Sequence, residues 1–446
     1  MLQSADLATL DVGTLSLIPY GVTRRPIRGA RKEMAMVQSI TAQFQQDAAS
    51  STGPIAPSDR IAAIDIVRGI ALFGVMAINV ATIFRVSIFE RFLPDGLDGT
   101  WLDRTLYSIL MVGIDLKAFA LFSLLFGVGL AIQYDHLSAS SRRTALLVRR
   151  LAFLLLIGAA HLIFIWNGDI LFEYAIAGFV VLPFLFCRLR ILTLVGTALL
   201  AVFLVSSFLP EIVSMPSRAW MTQNVAEATQ IYGSGGFAEV LAFRVDELPA
   251  FLPLHVSMFP RTVALMLIGA AAWRADLFRT GSRANLRLPL LAAVGILIGG
   301  ALAATHENEW LRVGWRTELV VERLGTVLLA CGYGAAIIWA TEKPTGRKLL
   351  AWAAPIGRMA FTNYLMQSVI FGWIFYGYGL GLFGKLGVTA ALAIGIGVYF
   401  LQVAFSAYWL QRYLYGPVEW LWRGAMYGRW QPFRRSRELV AINSKN

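Results

Sequence analysis

"RRLAFLLLIGAAHLIFIWNGDILFEYAIAGFVVLPFLFC", residues 149–187, holds two apolar runs joined at Asn167-Gly168. Each run approaches the ~20 residues that cross a bilayer as helix, and Asn-Gly is turn chemistry. The stretch therefore reads as a hairpin of two membrane spans, 149–166 and 169–187. Such a hairpin has no need of His161, Asp169 and Glu173. His161 precedes Asn167 by six residues and Glu173 follows it by six. In an antiparallel helix pair that sets the two at nearly equal depth, roughly 9 Å below the turn. Asp169 sits one turn above Glu173 on the same face. A histidine beside a carboxylate in a dry site can act as an oriented general base, so His161 is the candidate base, held by Glu173 or Asp169. The bland alternatives are that Asp169 caps a helix, His161 is a satisfied core residue, and Glu173 neutralises an arginine such as Arg323.

Working outward, the whole chain repeats this pattern. Of 446 residues, 57% are hydrophobic and only 15% charged, where soluble domains sit nearer ~25% charged. About ten spans can be drawn, at 61–85, 114–134, 149–166, 169–187, 191–209, 251–272, 288–304, 318–340, 357–376 and 387–409. The fold class expected is all-α, a polytopic integral membrane bundle. Basic residues collect in alternate loops, with Arg142, Arg143, Arg149 and Arg150 after the second span and Arg188 and Arg190 after the fourth. By the positive-inside bias both termini are cytoplasmic. The formal net charge of +12 then reports topology, and no nucleic-acid partner is expected. Cys187 and Cys331 fall in or at the ends of spans, so neither a structural disulfide nor a metal motif is expected.

Three segments lie outside the spans. Residues 1–58 are polar and basic, without the apolar core of a signal peptide, and read as a poorly ordered cytoplasmic arm; a start at Met34 or Met36 would also account for them. The 210–250 segment reads as an external loop of short interfacial helices broken at Gly233–Gly236. In the 410–446 tail, "YGPVEWLWRGAMYGRW" mixes Trp, Tyr and Arg, which suits an amphipathic helix at headgroup level.

Ionisable and amide groups inside spans are costly and form the list of functional candidates. Asp65 and Arg68 are three apart and can pair, structurally or otherwise. Asn79 lies eleven residues beyond Arg68, on the same face and roughly 16 Å further out. Asn363, Gln367 and Tyr364 share the ninth span, where such residues often serve as interhelical glue. Lys117, with Asp115, lies at the external end of the second span; Ser123, Gly127 and Gly129 below it suggest close helix packing. No GxxxxGK[ST], HExxH, paired CxxC or GxSxG is present.

Five segments carry a resemblance: "IDIVRGIALFGVMAINV", "FSLLFGVGLAIQ", "RRLAFLLLIGAAHLIFIWNGDILFEYAIAG", "GRMAFTNYLMQSVIFGWIFYGYGLGLFG" and "YGPVEWLWR". Together, from about residue 59 to 435, the chain resembles the YeiB-like bacterial membrane proteins, the family of domain of unknown function 418. That family looks related to the transmembrane acyltransferases, which include the lysosomal heparan glucosaminide acetyltransferase and bacterial carbohydrate O-acetyltransferases. The O-acetyltransferases carry an Arg and, after ten intervening residues, a catalytic His. Here Arg68 and Asn79 stand at that spacing, and an Asn occupies the comparable place in the heparan branch. The resemblance implies an enzyme of the bacterial cytoplasmic (inner) membrane that takes an acyl group, acetyl in the simplest case, from acyl-CoA. His161 would then replace the missing base, Asn79 would meet the oxyanion, and Asp65, Arg68, Arg149 and Arg150 would hold the donor. Asn363, Gln367, Tyr364 and Lys117 would contact a small-molecule, glycan or lipid-linked acceptor. Membrane lipids are the expected surroundings, and a homo-oligomer stays open. The rival is a transporter using the same polar groups as a proton relay, with missing repeat symmetry against it; a third possibility is a non-catalytic partner in an envelope complex.

Overall fold

In hydrocarbon every backbone polar group must be satisfied within its own segment, so the apolar runs fold as helices. The computed structural model describes residues 62–93, 99–277, 284–307 and 314–435; the arm expected over 1–58 and the last tail residues lie outside them. In order, α1 is Ala62–Asn79, running into a π turn at Val80–Phe84; α2 is Trp101–Gly113, α3 Lys117–His136 and α4 Arg143–Phe164. Next come α5, Leu171–Val181, extended by a 3-10 turn through Phe186, α6 Leu189–Val205, α7 Arg218–Ser234 and α8 Phe237–Arg274. The rest are α9 Ala284–Glu307, α10 Trp315–Glu342, α11 Pro344–Leu350, α12 Ala353–Arg358, α13 Ala360–Phe375, α14 Val388–Arg412 and α15 Pro417–Tyr427. Among the described residues the remaining regular pairing is one antiparallel bridge between Tyr413 and Arg434.

Among the described residues, eight helical stretches are long and apolar enough to cross a membrane: 62–84, 101–136, 143–164, 189–208, 237–274, 287–305, 315–342 and 388–412. Leu171–Phe186 is apolar but shorter, as is α13 with 16 residues. The expected external loop at 210–250 is corrected. Its break falls at Gly235, as its glycines suggest, but the second half is no short helix: it opens α8, which continues for 38 residues through Pro249, Pro253 and Pro260. Glu239, Arg244 and Glu247 made this stretch look like loop, yet Arg244 and Glu247 are buried.

Helices in lipid associate by close backbone approach at small residues. Gly127 on α3 and Gly269 on α8 show it, because a Cβ on either would strike the backbone of the other helix, at Met266 and Leu124. Between α2 and α3 the chain passes through Leu116 at φ 58, a left-handed conformation a branched residue resists. Its neighbours fix the break: Asp115 accepts from Arg91 at 2.8 Å, and Lys117 Nζ donates to Met111 O at 2.8 Å.

Candidate functional site

The hairpin forms where its Asn-Gly turn sets it, between α4 and α5. Gly168 lies against the Trp166 indole, which leaves no room for a Cβ. Trp166 is fully buried and stacks on Phe84 with ring centroids 4.4 Å apart. His161 Nδ1 is 2.8 Å from Asp169 Oδ1, and each residue is 1% exposed. Asp169 Oδ2 accepts from Phe172 N at 2.7 Å in the first turn of α5. The cap and the histidine partner are thus one carboxylate. A carboxylate on Nδ1 makes that nitrogen the donor and leaves the lone pair on Nε2. His161 Nε2 is buried with no hydrogen-bond partner.

The expected pairing of His161 with Glu173 is not formed. Equal depth does not make two residues face each other, and Glu173 turns toward α8 instead. Its Oε2 is 2.9 Å from His255 Nδ1, and its Oε1 accepts from Thr262 Oγ1 at 2.7 Å. Arg323 does not neutralise it, for that guanidinium donates to Phe203 O at 2.8 Å and Ser206 Oγ at 2.7 Å. The cation whose charge meets Glu173 is the buried Arg261. His255 and Arg261 were passed over in the sequence because both sit in a stretch with no other sign of a site.

Beside the dyad lies a cavity of about 300 Å³. Along α1 its wall runs Asp65, Arg68, Leu72, Val75, ten residues or about 15 Å of helix. One end is basic, with Arg68, Arg150, Arg358 and Arg423. Toward the hairpin the wall is apolar and aromatic, with Phe122, Leu171, Tyr174 and Tyr364. The Tyr364 ring centre is 5.4 Å from that of His161, so one aromatic side chain touches both the cavity and the dyad. Asp65 and Arg68 pair at 3.2 Å. Arg150 stands 4.4 Å over the Trp422 ring, and the charges of Arg68 and Arg423 act on it. Arg149 is exposed and does not line the cavity; one position along a helix turns a side chain by about 100°. Gly129, expected only as packing, forms part of the wall beneath Arg68.

Glu419 of α15 completes the basic end. Its carboxylate accepts from Phe361 N at 2.9 Å, Thr362 N at 3.0 Å and Thr362 Oγ1 at 2.5 Å. A residue from the tail thus caps α13, satisfying donors that the helix start leaves open. Burial pushes the Glu419 carboxyl above its ordinary 4.5, while these donors hold it down. Arg358, Glu419 and Arg423 were not singled out from the sequence. The available signal was the i, i+4 spacing of Glu419 and Arg423, which the surrounding tryptophans made look like a headgroup helix.

The other candidates divide. Tyr364 lines the cavity. Asn79 is buried at the junction of α1 with the π turn, its Oδ1 unpartnered, and it does not line the cavity. Asn363 Nδ2 donates to Met359 O at 3.0 Å and Ser406 Oγ at 2.9 Å, and Gln367 Nε2 to Gln402 Oε1 at 2.9 Å. Both serve the packing of α13 on α14. Lys117 is buried in the α2–α3 break rather than exposed on an acceptor surface.

The class is thereby defined: a helical membrane protein whose bundle encloses a cavity, basic at one end and apolar toward a buried His–Asp pair. Its family follows from sequence similarity. Residues 272–429 match the family described as "Protein of unknown function (DUF418)". The chain is 32% identical over 413 residues to the uncharacterized protein YxaH of Bacillus subtilis (strain 168), spanning 87% of this chain and 100% of that one. It is 30% identical over 387 residues to the uncharacterized protein YeiB of Escherichia coli (strain K12), spanning 82% and 96%. A 39.9 kDa protein encoded 3' of an amylase in Bacillus acidopullulyticus is 25% identical over 386 residues. The chain belongs to the YeiB-like DUF418 family.

Proposed function

We propose that the protein is a membrane-bound acyltransferase, moving an acyl group from cytoplasmic acyl-CoA to a hydroxyl or amine acceptor at the outer face of the bacterial inner membrane. Leu171–Phe186 and α13 join the eight longer stretches as spans in this reading, giving ten with both termini cytoplasmic. The observation that carries the proposal is the cavity, with four arginines at one end and Tyr364 against His161 at the other. Acyl-CoA has the same polarity, phosphates at one end and a thioester at the other. Charge-assisted hydrogen bonds from guanidinium groups suit phosphate oxygens, and the apolar wall suits the arm that reaches toward the dyad.

Transfer then needs a base and an oxyanion donor. His161 Nε2 takes the proton from the acceptor O–H or N–H as that atom attacks the thioester carbonyl. Asp169 holds the imidazole in the required tautomer. The Tyr364 phenol, on the cavity wall beside His161, donates to the oxygen that gains charge. Collapse re-forms the carbonyl, the C–S bond breaks, and the thiolate leaves with the proton returned from His161.

The test uses purified protein in nanodiscs with radiolabelled acetyl-CoA and longer acyl-CoAs. Saturable binding is expected, with label passing to an added acceptor, and His161→Ala should bind the donor yet fail to transfer. Failure to bind any acyl-CoA, together with proton-coupled solute uptake into vesicles, would replace the proposal with the transporter reading.

A further inference from the structure

At the hairpin end of the bundle a second polar cluster has no part in the steps above. Arg244 and Glu247 are three apart on one face of α8, 0% and 3% exposed. Glu247 is fully engaged elsewhere. Its Oε2 accepts from Asn167 Nδ2 at 2.9 Å and Tyr232 Oη at 2.6 Å, and Asn224 also donates to the carboxylate. The guanidinium is left over. Its Nε, Nη1 and Nη2 are all buried without a well-formed hydrogen bond, and the Asn224 Oδ1 is likewise unpartnered. Around Arg244 are the Tyr376 ring, 5.7 Å away, the Tyr378 phenol, whose hydrogen-bond contact with the guanidinium is loose, and the charge of Glu247.

A buried guanidinium with idle donors is costly, and an apolar residue of similar volume would serve packing better. Its planar fork matches a carboxylate or phosphate. The unpartnered Asn224 Oδ1 can accept from a hydroxyl or amine group of the same molecule. Asn167, which touches Glu247, is two residues from Asp169 of the dyad. We infer that Arg244 binds the anionic group of the acceptor, a carboxylate or phosphate monoester on a hydroxylated compound such as an acidic sugar or a phosphorylated polyol. This inference rests on the acyltransferase reading and names its acceptor class.

The experiment is a thermal-shift titration of the full-length protein in nanodiscs at matched ionic strength. The probes are glycerol 3-phosphate and glucuronate, with glycerol and glucose as uncharged partners. Both anions should raise Tm, and the neutral probes should not. Arg244→Gln should weaken the anions at least about tenfold. Should that variant fold poorly, Glu247→Gln supplies the test: it removes the competing charge and keeps an acceptor oxygen for Asn167 and Tyr232, so anion affinity should rise several-fold. Equal responses to charged and neutral probes, or unchanged affinity in Glu247→Gln, would overturn the inference. Acyl-CoA binding on the same nanodiscs separates the two proposals. Anion binding without any acyl-CoA binding supports this site and removes the acyltransferase reading; acyl transfer to neutral and anionic acceptors alike removes only the site.

Discussion

Asp169 performs two tasks, and two substitutions separate them. Oδ2 receives Phe172 N at the start of α5, and Oδ1 holds His161 Nδ1. Asp169→Asn keeps an oxygen for the helix start, so the cap, about 1 kcal/mol, survives. It loses the charge in a bond where a charged partner contributes about 1.5–3 kcal/mol and a neutral one about 1 kcal/mol. The expected destabilisation is therefore about 0.5–2 kcal/mol. Asp169→Ala loses the cap as well and strands a buried imidazole nitrogen, for about 2–4 kcal/mol in all. Thermal unfolding in nanodiscs reads the difference. Turnover should not separate the variants. If the Asn amide donates to Nδ1, the proton moves to Nε2 and the base is lost, so both variants should fall by about 10²–10⁴. Wild-type turnover in Asp169→Asn would refute the tautomer argument, and equal stability of the two variants would refute the shared cap.

Four other outcomes follow from the geometry. Arg150→Gln and Arg423→Gln should each weaken acyl-CoA binding by about 10-fold or more, measured with radiolabelled donor, whereas Arg149→Gln should not. Glu419→Gln should lower stability by about 1–3 kcal/mol, because an amide has one acceptor oxygen for three donors. That carboxyl is raised above 4.5 in the folded protein, so the native state holds the proton more tightly than the unfolded chain. Stability should accordingly decline as pH rises from about 4.5 through the native value, and Glu419→Gln should flatten that slope in unfolding curves taken across pH. Gly127→Val should prevent α3 from seating against Met266 and abolish the folded fraction seen by size-exclusion chromatography.

How much of this was legible in the sequence differs from residue to residue. The helical character of the apolar runs, the hairpin and the Asn167-Gly168 turn follow from apolar run length and turn chemistry, which are local. The partner of His161 was not legible in the same way. Counting residues from the turn sets depth, while facing depends on helix rotation, which α8 decides by offering His255 and Thr262 to Glu173. The four arginines of the cavity come from α1, α4, α12 and α15, far apart in sequence, and only packing brings them together. Asn363 and Gln367 show the converse: their spacing suggested a polar face, and the face meets Gln402 and Ser406 of α14 rather than a ligand. The start of α8 was hidden because buried Arg244 and Glu247 carry the composition of a surface loop.

The π turn at Val80–Phe84 has a consequence for chain length. A π turn carries one residue more than an α-helix needs to cover the same rise. Deleting one residue between Val80 and Phe84 should close it to ordinary helix and leave both flanks in register, whereas a deletion higher in α1 would turn everything after it by about 100°. The backbone would survive, but Phe84 would leave its stack on Trp166. Natural gain or loss of a single codon here would thus alter the hairpin's surroundings without disturbing the wall that holds Arg68.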